Sequence, residues 1–238
     1  MPKVTNKISV YGDSVCTSQQ GSQTRAQRIA AQLGRGAGFN DYAVGGQTLA
    51  STLAGVVTAT GAPLFGGRTF EQHIKTVDNC DICIISLGGN DAPTYGGAPL
   101  SPVSSPEAYL RGEFLPIAAN ALQLCQHATA AGKRVLVVGV PYLSMTVLSS
   151  SSGRFPGNLD AAKGYAARAA AANTALRCAA GFNGSHFVYT YGGTPGPVGP
   201  APTGYTDYAA VWDGLHPTLA YSHAVSDFLA AHINAIFP

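Results

Sequence analysis

Serine, histidine and aspartate, the residue types of nucleophilic acyl transfer, occur at two distant places in the chain. Ser14 lies in a Gly-Asp-Ser motif directly after the apolar run of residues 8–11, and Asp213 and His216 lie three positions apart far downstream. A serine at the end of a strand can project its hydroxyl from a sheet, where it needs a base to accept its proton and a carboxylate to orient that base. The pattern predicts Ser14 as a nucleophile served by His216 and Asp213.

Short apolar runs alternate with amphipathic stretches, which is typical of an α/β fold with a central parallel sheet. The apolar runs predict five strands, at residues 8–11, 39–44, 82–87, 134–140 and 186–189. Helical periodicity and stop signals predict helices at residues 24–33, 69–77, 106–131, 159–180 and 218–236, the third bent near Pro116. No repeat, charge run or polar linker divides the chain, so we expect a single domain over residues 1–238.

Small polar motifs follow the first four predicted strands. After Ser14 come Gly-Gly-Gln-Thr at residues 45–48, Gly-Gly-Asn-Asp at residues 88–91 and Pro-Tyr at residues 141–142. In open parallel sheets, binding sites form beyond the carboxyl ends of the strands. The spacing therefore predicts that these motifs converge at one edge of the sheet.

In this order, the blocks at Ser14, at residues 45–48, at residues 88–91 and at Asp213-x-x-His216-Pro resemble those of the SGNH, or GDSL, hydrolases, and the resemblance spans almost the whole chain. It implies a flavodoxin-like three-layer α/β/α sandwich and the hydrolysis of esters. It also implies that Ser14 is the nucleophile, that His216 is the general base and then the general acid, and that Asp213 holds the imidazole.

The same resemblance implies an oxyanion hole made of the backbone N–H of Ser14, the backbone N–H of Gly46 and the side-chain amide of Asn90. Fixed donors of this kind stabilise the charge of a tetrahedral intermediate. Many members of the family read Ser-Gly-Asp-Thr or Ser-Gly-Asn-Thr where this chain has Gly45 and Gln47 around Gly46. We therefore expect the hydrogen bonds around Gly46 to differ, and Gly45 is the alternative donor if the alignment shifts by one residue.

Composition narrows the classes of partner. The formal net charge is +2, charged residues make up 11% of the chain, and lysine and arginine are scattered. This argues against nucleic-acid binding through a basic patch and against electrostatic membrane docking. No run reaches the roughly 18 apolar residues of a transmembrane helix. No signal peptide is predicted either, which fits a cytosolic protein, a mature secreted form or a domain of a longer protein.

The cysteines, and the histidines other than His216, predict no cofactor and no metal site. The five cysteines are interpreted as small core residues, with a disulfide between Cys80 and Cys83 as the alternative. We expect Asp91 to be structural. The other histidines lack metal-ligand spacing and are expected at the surface or hydrogen-bonded: His73, His127, His186, His223 and His232.

These observations predict a serine ester hydrolase that acts through an acyl-enzyme on a small ester, most simply an acetyl ester. Four prolines between residues 192 and 205 restrict a loop before Asp213, which favours a short acyl pocket. Tyr95, Tyr142 and Trp212 lie in predicted loops near the site. They could stack on a sugar, which points to O-acetylated carbohydrate, and the alternative for each of them is packing within its loop. The alternatives are a lysophospholipase or thioesterase with a longer pocket, and a non-catalytic carbohydrate-binding domain on the same fold.

Overall fold

The computed structural model describes most of the chain between Lys7 and Phe237. The described residues are 7–17, 23–34, 38–91, 114–140, 149, 151, 155–190, 216 and 218–237. All statements about the structure below concern these residues.

The described strands form one parallel five-stranded sheet in the order β2-β1-β3-β4-β5. They are β1 (Ile8–Gly12), β2 (Phe39–Asp41), β3 (Ile82–Ser86), β4 (Arg134–Val138) and β5 (His186–Val188). In the register of the two central strands, Val10 lies beside Ile84 and Gly12 beside Ser86. This is the strand order of flavodoxin-like folds, and it confirms the predicted fold class.

Six described helices cover the two faces of the sheet. They are α1 (Arg25–Leu33), α2 (Leu49–Ala54), α3 (Phe70–Thr76), α4 (Leu115–Ala130), α5 (Leu159–Asn183) and α6 (Leu219–Ile236). Side chains alternate along β1, β3, β4 and β5 between a core shared with α1 and α6 and a core shared with α2 to α5. Hydroxyl or amide side chains cap the amino ends of α1, α2, α3, α5 and α6, namely Thr24, Thr48, Thr69, Asn158 and Thr218.

The first and last helices of the described chain are joined by an ion pair. The Nε and Nη2 atoms of Arg28 on α1 each lie 2.8 Å from a carboxylate oxygen of Asp227 on α6. Beneath this pair, the apolar face of α1 packs against α6 and the sheet. The carboxyl-terminal helix therefore covers apolar surface that the first helix and strands create.

Three sequence predictions differ from the structure. The strand predicted at residues 39–44 ends at Asp41 in the structure. The chain nevertheless stays hydrogen-bonded to β1 as far as Val44, whose N–H donates to Gly12 O at 3.1 Å. In the described residues α4 begins only at Leu115, and Pro116 lies in its first turn, where its missing N–H costs no hydrogen bond. Helix α2 was not predicted. Residues 106–113 of the predicted third helix lie outside the described residues.

A buried carboxylate joins the sheet to the turn after α3. Asp78 accepts hydrogen bonds from the hydroxyls of Ser9 and Tyr11, from the side-chain amide of Asn40 and from the backbone N–H of Cys80. These donors come from β1, from β2 and from the approach to β3, so one side chain fixes three segments to one another. Burial raises the pKa of Tyr11 far above its ordinary value, so its phenol stays protonated as the donor.

All five cysteines are free. Four are buried, as predicted, but Cys178 is exposed on α5 and is not a core residue. None of the helices within the described ranges has the length and apolar character that crossing a membrane requires.

Candidate active site

Ser14 lies in a tight turn directly after β1. The turn is closed by the Cys16 N–H, which donates to Asp13 O at 3.0 Å, and by the Val15 N–H, which donates to the Asp13 carboxylate at 3.1 Å. The turn passes so close to the strand that a β-carbon at Gly12 would lie 2.6 Å from Cys16 Sγ. Glycine is therefore required at Gly12 for space, and the turn leaves Ser14 half-buried at the carboxyl edge of the sheet.

His216 meets Ser14 across 202 positions of sequence. Its Nε2 atom lies 3.0 Å from the Ser14 hydroxyl oxygen, within hydrogen-bonding distance. His216 lies three positions before Leu219, the first residue of α6, and Thr218 caps that helix. The packing of α6 on α1 therefore brings the base candidate to the strand end that carries Ser14.

The turn of residues 45–48 lies on the other side of Ser14. A β-carbon at Gly45 would lie 3.9 Å from that of Ser14. Gly46 has a φ of +75°, in the left-handed region that favours glycine, and the Gln47 N–H closes the turn by donating to Val44 O at 3.1 Å. The turn thus lies next to Ser14, with Gly45 and Gly46 exposed.

Asn90 lies between this turn and the Ser14 turn. Its Nδ2 atom is 3.1 Å from Gln47 O and 3.5 Å from a carboxylate oxygen of Asp13. The structure therefore brings Ser14, His216, Gly46 and Asn90 to one edge of the sheet. Four other predicted site residues lie outside the described residues: Tyr95, Tyr142, Trp212 and Asp213. The loop of residues 192–205 also lies outside them.

Two buried or partly buried carboxylates accompany these residues. Burial raises the pKa of Asp13 to about 6, although the Val15 N–H and the positive charges of Arg25 and His216 counteract part of that rise. Burial also raises the pKa of Asp91 to about 6, and the charge of Asp13 adds to this effect. Both carboxyls are thus mainly ionised at neutral pH.

The sequence did not predict the burial of two polar residues, Arg25 and Gln47. Arg25, the first residue of α1, donates through Nη1 to the Ser86 hydroxyl at 2.9 Å and lies 3.3 Å from Cys16 Sγ, below the Ser14 turn. The Gln47 side chain donates to Val56 O at 2.8 Å. An Arg in the first turn of a helix and a Gln between Gly46 and Thr48 look like surface residues in a sequence, and only the folded contacts show their burial.

A shallow cavity adjoins the Asn90 turn. Its volume is about 230 Å³, including the open space at its mouth. Residues from the ends of β3 and β4 and from one face of α5 line it: Gly88, Gly89, Val140, Tyr165, Arg168, Ala169 and Ala172. Among all the residues that the structure describes, no three His, Cys, Asp or Glu side chains are grouped so that they could hold a metal ion.

The family model of the GDSL-like lipase/acylhydrolase family matches residues 10–222, from β1 into α6. The chain belongs to this family. The matched stretch contains Ser14, Asn90 and His216, whose positions in the structure are described above. Membership of this family supports hydrolase activity of the esterase kind. No curated protein matches the chain in sequence.

Solved structures with similar folds include several hydrolases. The carbohydrate acetylesterase Est24 from Sinorhizobium meliloti is 18% identical, with a TM-score of 0.61 over 98% of this chain and 100% of that protein. The M. smegmatis aryl esterase is 18% identical, with a TM-score of 0.62 over 98% and 100%. A GDSL-like lipase from Bacteroides thetaiotaomicron is 15% identical, with a TM-score of 0.59 over 97% and 89%. At these identities, the likeness shows the fold alone.

Proposed function

We propose that the protein is a serine ester hydrolase that forms an acyl-enzyme on Ser14 and acts on short-chain esters, acetyl esters of carbohydrates among them. The observation that carries this proposal is the 3.0 Å distance between Ser14 Oγ and His216 Nε2. A hydroxyl within hydrogen-bonding distance of an imidazole has a base in place to accept its proton as it attacks. Two residues 202 positions apart meet in this way at the edge of the sheet where α/β enzymes carry out their chemistry.

The proposed reaction has two halves. In the first, His216 Nε2 accepts the proton of the Ser14 hydroxyl while Oγ attacks the ester carbonyl carbon. The imidazolium then gives that proton to the leaving alcohol, and the acyl group remains on Ser14. In the second, His216 accepts a proton from water as the water attacks the acyl-enzyme, and the proton returns to Ser14 Oγ as the acid leaves. The proton balance closes on the chain's own groups, so the reaction requires no cofactor.

The other residues of the proposal stabilise charge. The backbone N–H groups of Ser14 and Gly46 and the Asn90 amide are proposed to donate to the oxyanion of each tetrahedral intermediate. Asp213 is proposed to accept from His216 Nδ1–H and to hold the ring, because it precedes His216 by three residues.

Two observations favour a small acyl group and a carbohydrate ester. The cavity beside the Asn90 turn is lined mainly by small residues, since four of its seven lining residues are Gly or Ala. The similarly folded Est24 is a carbohydrate acetylesterase. Tyr95, Tyr142 and Trp212 are proposed to stack on the sugar part of such a substrate.

Active-site labelling tests this function directly. A fluorophosphonate probe should modify the wild-type protein and fail to modify Ser14→Ala, whose turnover of p-nitrophenyl acetate should fall by several orders of magnitude. Ser185→Ala is the matched control, because Ser185 is also half-buried but lies at the amino end of β5. Near-wild-type turnover by a pure and folded Ser14→Ala sample would sink the proposal. A wild-type protein that binds acetylated glycans without hydrolysing them would support the non-catalytic alternative.

A further inference from the structure

Two neighbouring residues, Asn90 and Asp91, connect the two turns that carry the proposed oxyanion donors. Asn90 Nδ2 donates to Gln47 O at 3.1 Å. Both carboxylate oxygens of Asp91 lie 3.0 Å from the backbone nitrogen of Leu49 and accept its N–H. The segment that follows β3 is therefore bonded to the chain on both sides of Thr48.

The Leu49 and Ala50 N–H groups belong to the amino end of α2, a helix of six residues. The N–H groups in the first turn of a helix have no partner within that helix. The Thr48 side chain satisfies the Ser51 N–H, and Asp91 satisfies that of Leu49. Because so short a helix has little stability of its own, the Thr48 cap and the Asp91 carboxylate together fix where α2 begins.

The start of α2 in turn determines the position of Gly46. Only Gln47 and Thr48 separate Gly46 from Leu49, and the Gln47 carbonyl is held by Asn90. The dipeptide Asn90-Asp91 therefore bonds both the Gln47 carbonyl, one residue after Gly46, and the Leu49 N–H, the first of α2. That dipeptide also supplies one of the proposed donors, the Asn90 amide.

We propose that Asp91 is a positioning residue for the oxyanion hole, which fixes the Gly46 N–H relative to the Asn90 amide through its bonds to the start of α2. This inference rests on the proposed function, because it assigns Asp91 to the oxyanion hole of that reaction. A carboxylate suits the role because its two oxygens are both acceptors and both face the Leu49 N–H. An asparagine of the same shape would offer one acceptor oxygen and would turn an NH₂ group towards a backbone donor.

The isosteric variant Asp91→Asn tests the role. We expect kcat for p-nitrophenyl acetate to fall by about 10–100-fold with KM little changed, because misplaced donors weaken transition-state stabilisation more than substrate binding. The matched control is Asp81→Asn. The Asp81 carboxylate also accepts a backbone N–H, from Lys7 at 3.0 Å, but it lies at the amino end of β3, away from the site. Its kcat should stay at the wild-type value.

A double-mutant cycle separates positioning from a merely structural effect. If Asp91 acts through the oxyanion donors, Asn90→Ala combined with Asp91→Asn should lose less activity than the product of the two single losses. Losses that multiply, a change in KM alone, or an Asp91→Asn protein that does not fold would each overturn the positioning role. Ser14→Ala is measured alongside: if it retains turnover, the proposed function fails. If it is inactive while Asp91→Asn behaves as wild type, only the positioning role fails.

Discussion

Asn90 uses its two amide hydrogens unequally. The contact of Nδ2 with Gln47 O, at 3.1 Å, is a normal hydrogen bond, whereas the contact with the Asp13 carboxylate, at 3.5 Å, is at the outer limit of one. The first bond fixes the plane of the amide. The hydrogen that faces Asp13 is loosely held and can be redirected to an oxyanion at little cost, which suits Asn90 to the proposed role.

Replacing Asn90 with alanine should lower kcat by about 10²–10³-fold, the usual effect of losing one oxyanion donor. KM should change much less, because the donor serves the charge that develops in the transition state. Steady-state kinetics with p-nitrophenyl acetate measure both constants. A variant that loses only substrate binding, with kcat unchanged, would contradict the role.

His73 corrects the prediction that the other histidines are at the surface or hydrogen-bonded. It is buried, it stacks on Phe65 with ring centroids 4.4 Å apart, and neither ring nitrogen has a hydrogen-bond partner among the described residues. The spacing of Phe70, His73 and Ile74 at positions i, i+3 and i+4 was the available signal, because it places His73 on the apolar face of α3.

This burial makes a prediction about stability and pH. Burial lowers the pKa of His73 below the ordinary 6.5, and the nearby positive Arg68 acts in the same direction while Asp78 opposes it. As the pH falls through about 6.5, the unfolded chain takes up a proton that the folded protein resists, so the free energy of unfolding should decrease. Urea denaturation at pH 7.5 and 5.5 should show a smaller decrease for His73→Phe. Equal decreases in both proteins would refute this.

At the level of elements, the segment between α2 and α3 supports the site from the side opposite Asp91. The Gln47 side chain donates to Val56 O and accepts from the Thr58 N–H. The segment folds back on itself through a bridge between Val56 and Pro63. Gly55 starts it with a φ of +74°, and a β-carbon there would lie 1.9 Å from Arg68 O.

Gly55→Ala should therefore both destabilise the protein and lower activity. The strained φ alone costs about 1–3 kcal/mol, and the clash with backbone must add to that cost by moving the segment and its contacts with Gln47. Gly61→Ala is the control, because Gly61 has a similar φ of +67° but no atom within 4 Å of the added carbon. Thermal unfolding and kcat should separate the two variants. Equal effects of both would mean that the Arg68 contact is unimportant.

The sequence predicted those elements that have long patterns. Strands β1, β3 and β4 follow continuous apolar runs, and α1, α3 and α6 follow clear caps and periodicity, so all six were predicted to within two residues. Helix α2 has only six residues and depends on Asp91, a contact across 42 positions that no local pattern contains. Ser14, Asn90 and His216 could be predicted from their residue types and their positions in motifs. The contacts of the Gln47 side chain could not, because they too depend on the folded structure.

For the molecule as a whole, the order β2-β1-β3-β4-β5 places β1 and β3 side by side at the centre of the sheet. Ser14 follows β1, Asn90 follows β3, and the cavity lies where β3 and β4 end against α5. The acyl or alcohol part of a substrate is therefore proposed to extend from Ser14 towards α5, whose small residues Ala169 and Ala172 line the cavity.

Acyl-chain length tests this geometry. The kcat/KM for p-nitrophenyl esters should fall from acetyl to octanoyl. Each buried CH₂ contributes about 0.8 kcal/mol only while the pocket can enclose it, and the cavity is shallow. Release of acetate from acetylated glycans should be measured beside the series. A higher kcat/KM for octanoyl esters would instead favour the lysophospholipase or thioesterase alternative.

Because 202 positions separate Ser14 from His216, the ribosome synthesises the two residues at well-separated times. At typical elongation rates of 5–20 residues per second, the nucleophile candidate precedes its base by about 10–40 s. During that interval the apolar face of α1 still lacks the cover that α6 provides. A nascent chain should therefore depend on chaperones until α6 emerges. Any hydrolysis of esters by the protein should begin only when α6, the last described helix, has packed against α1.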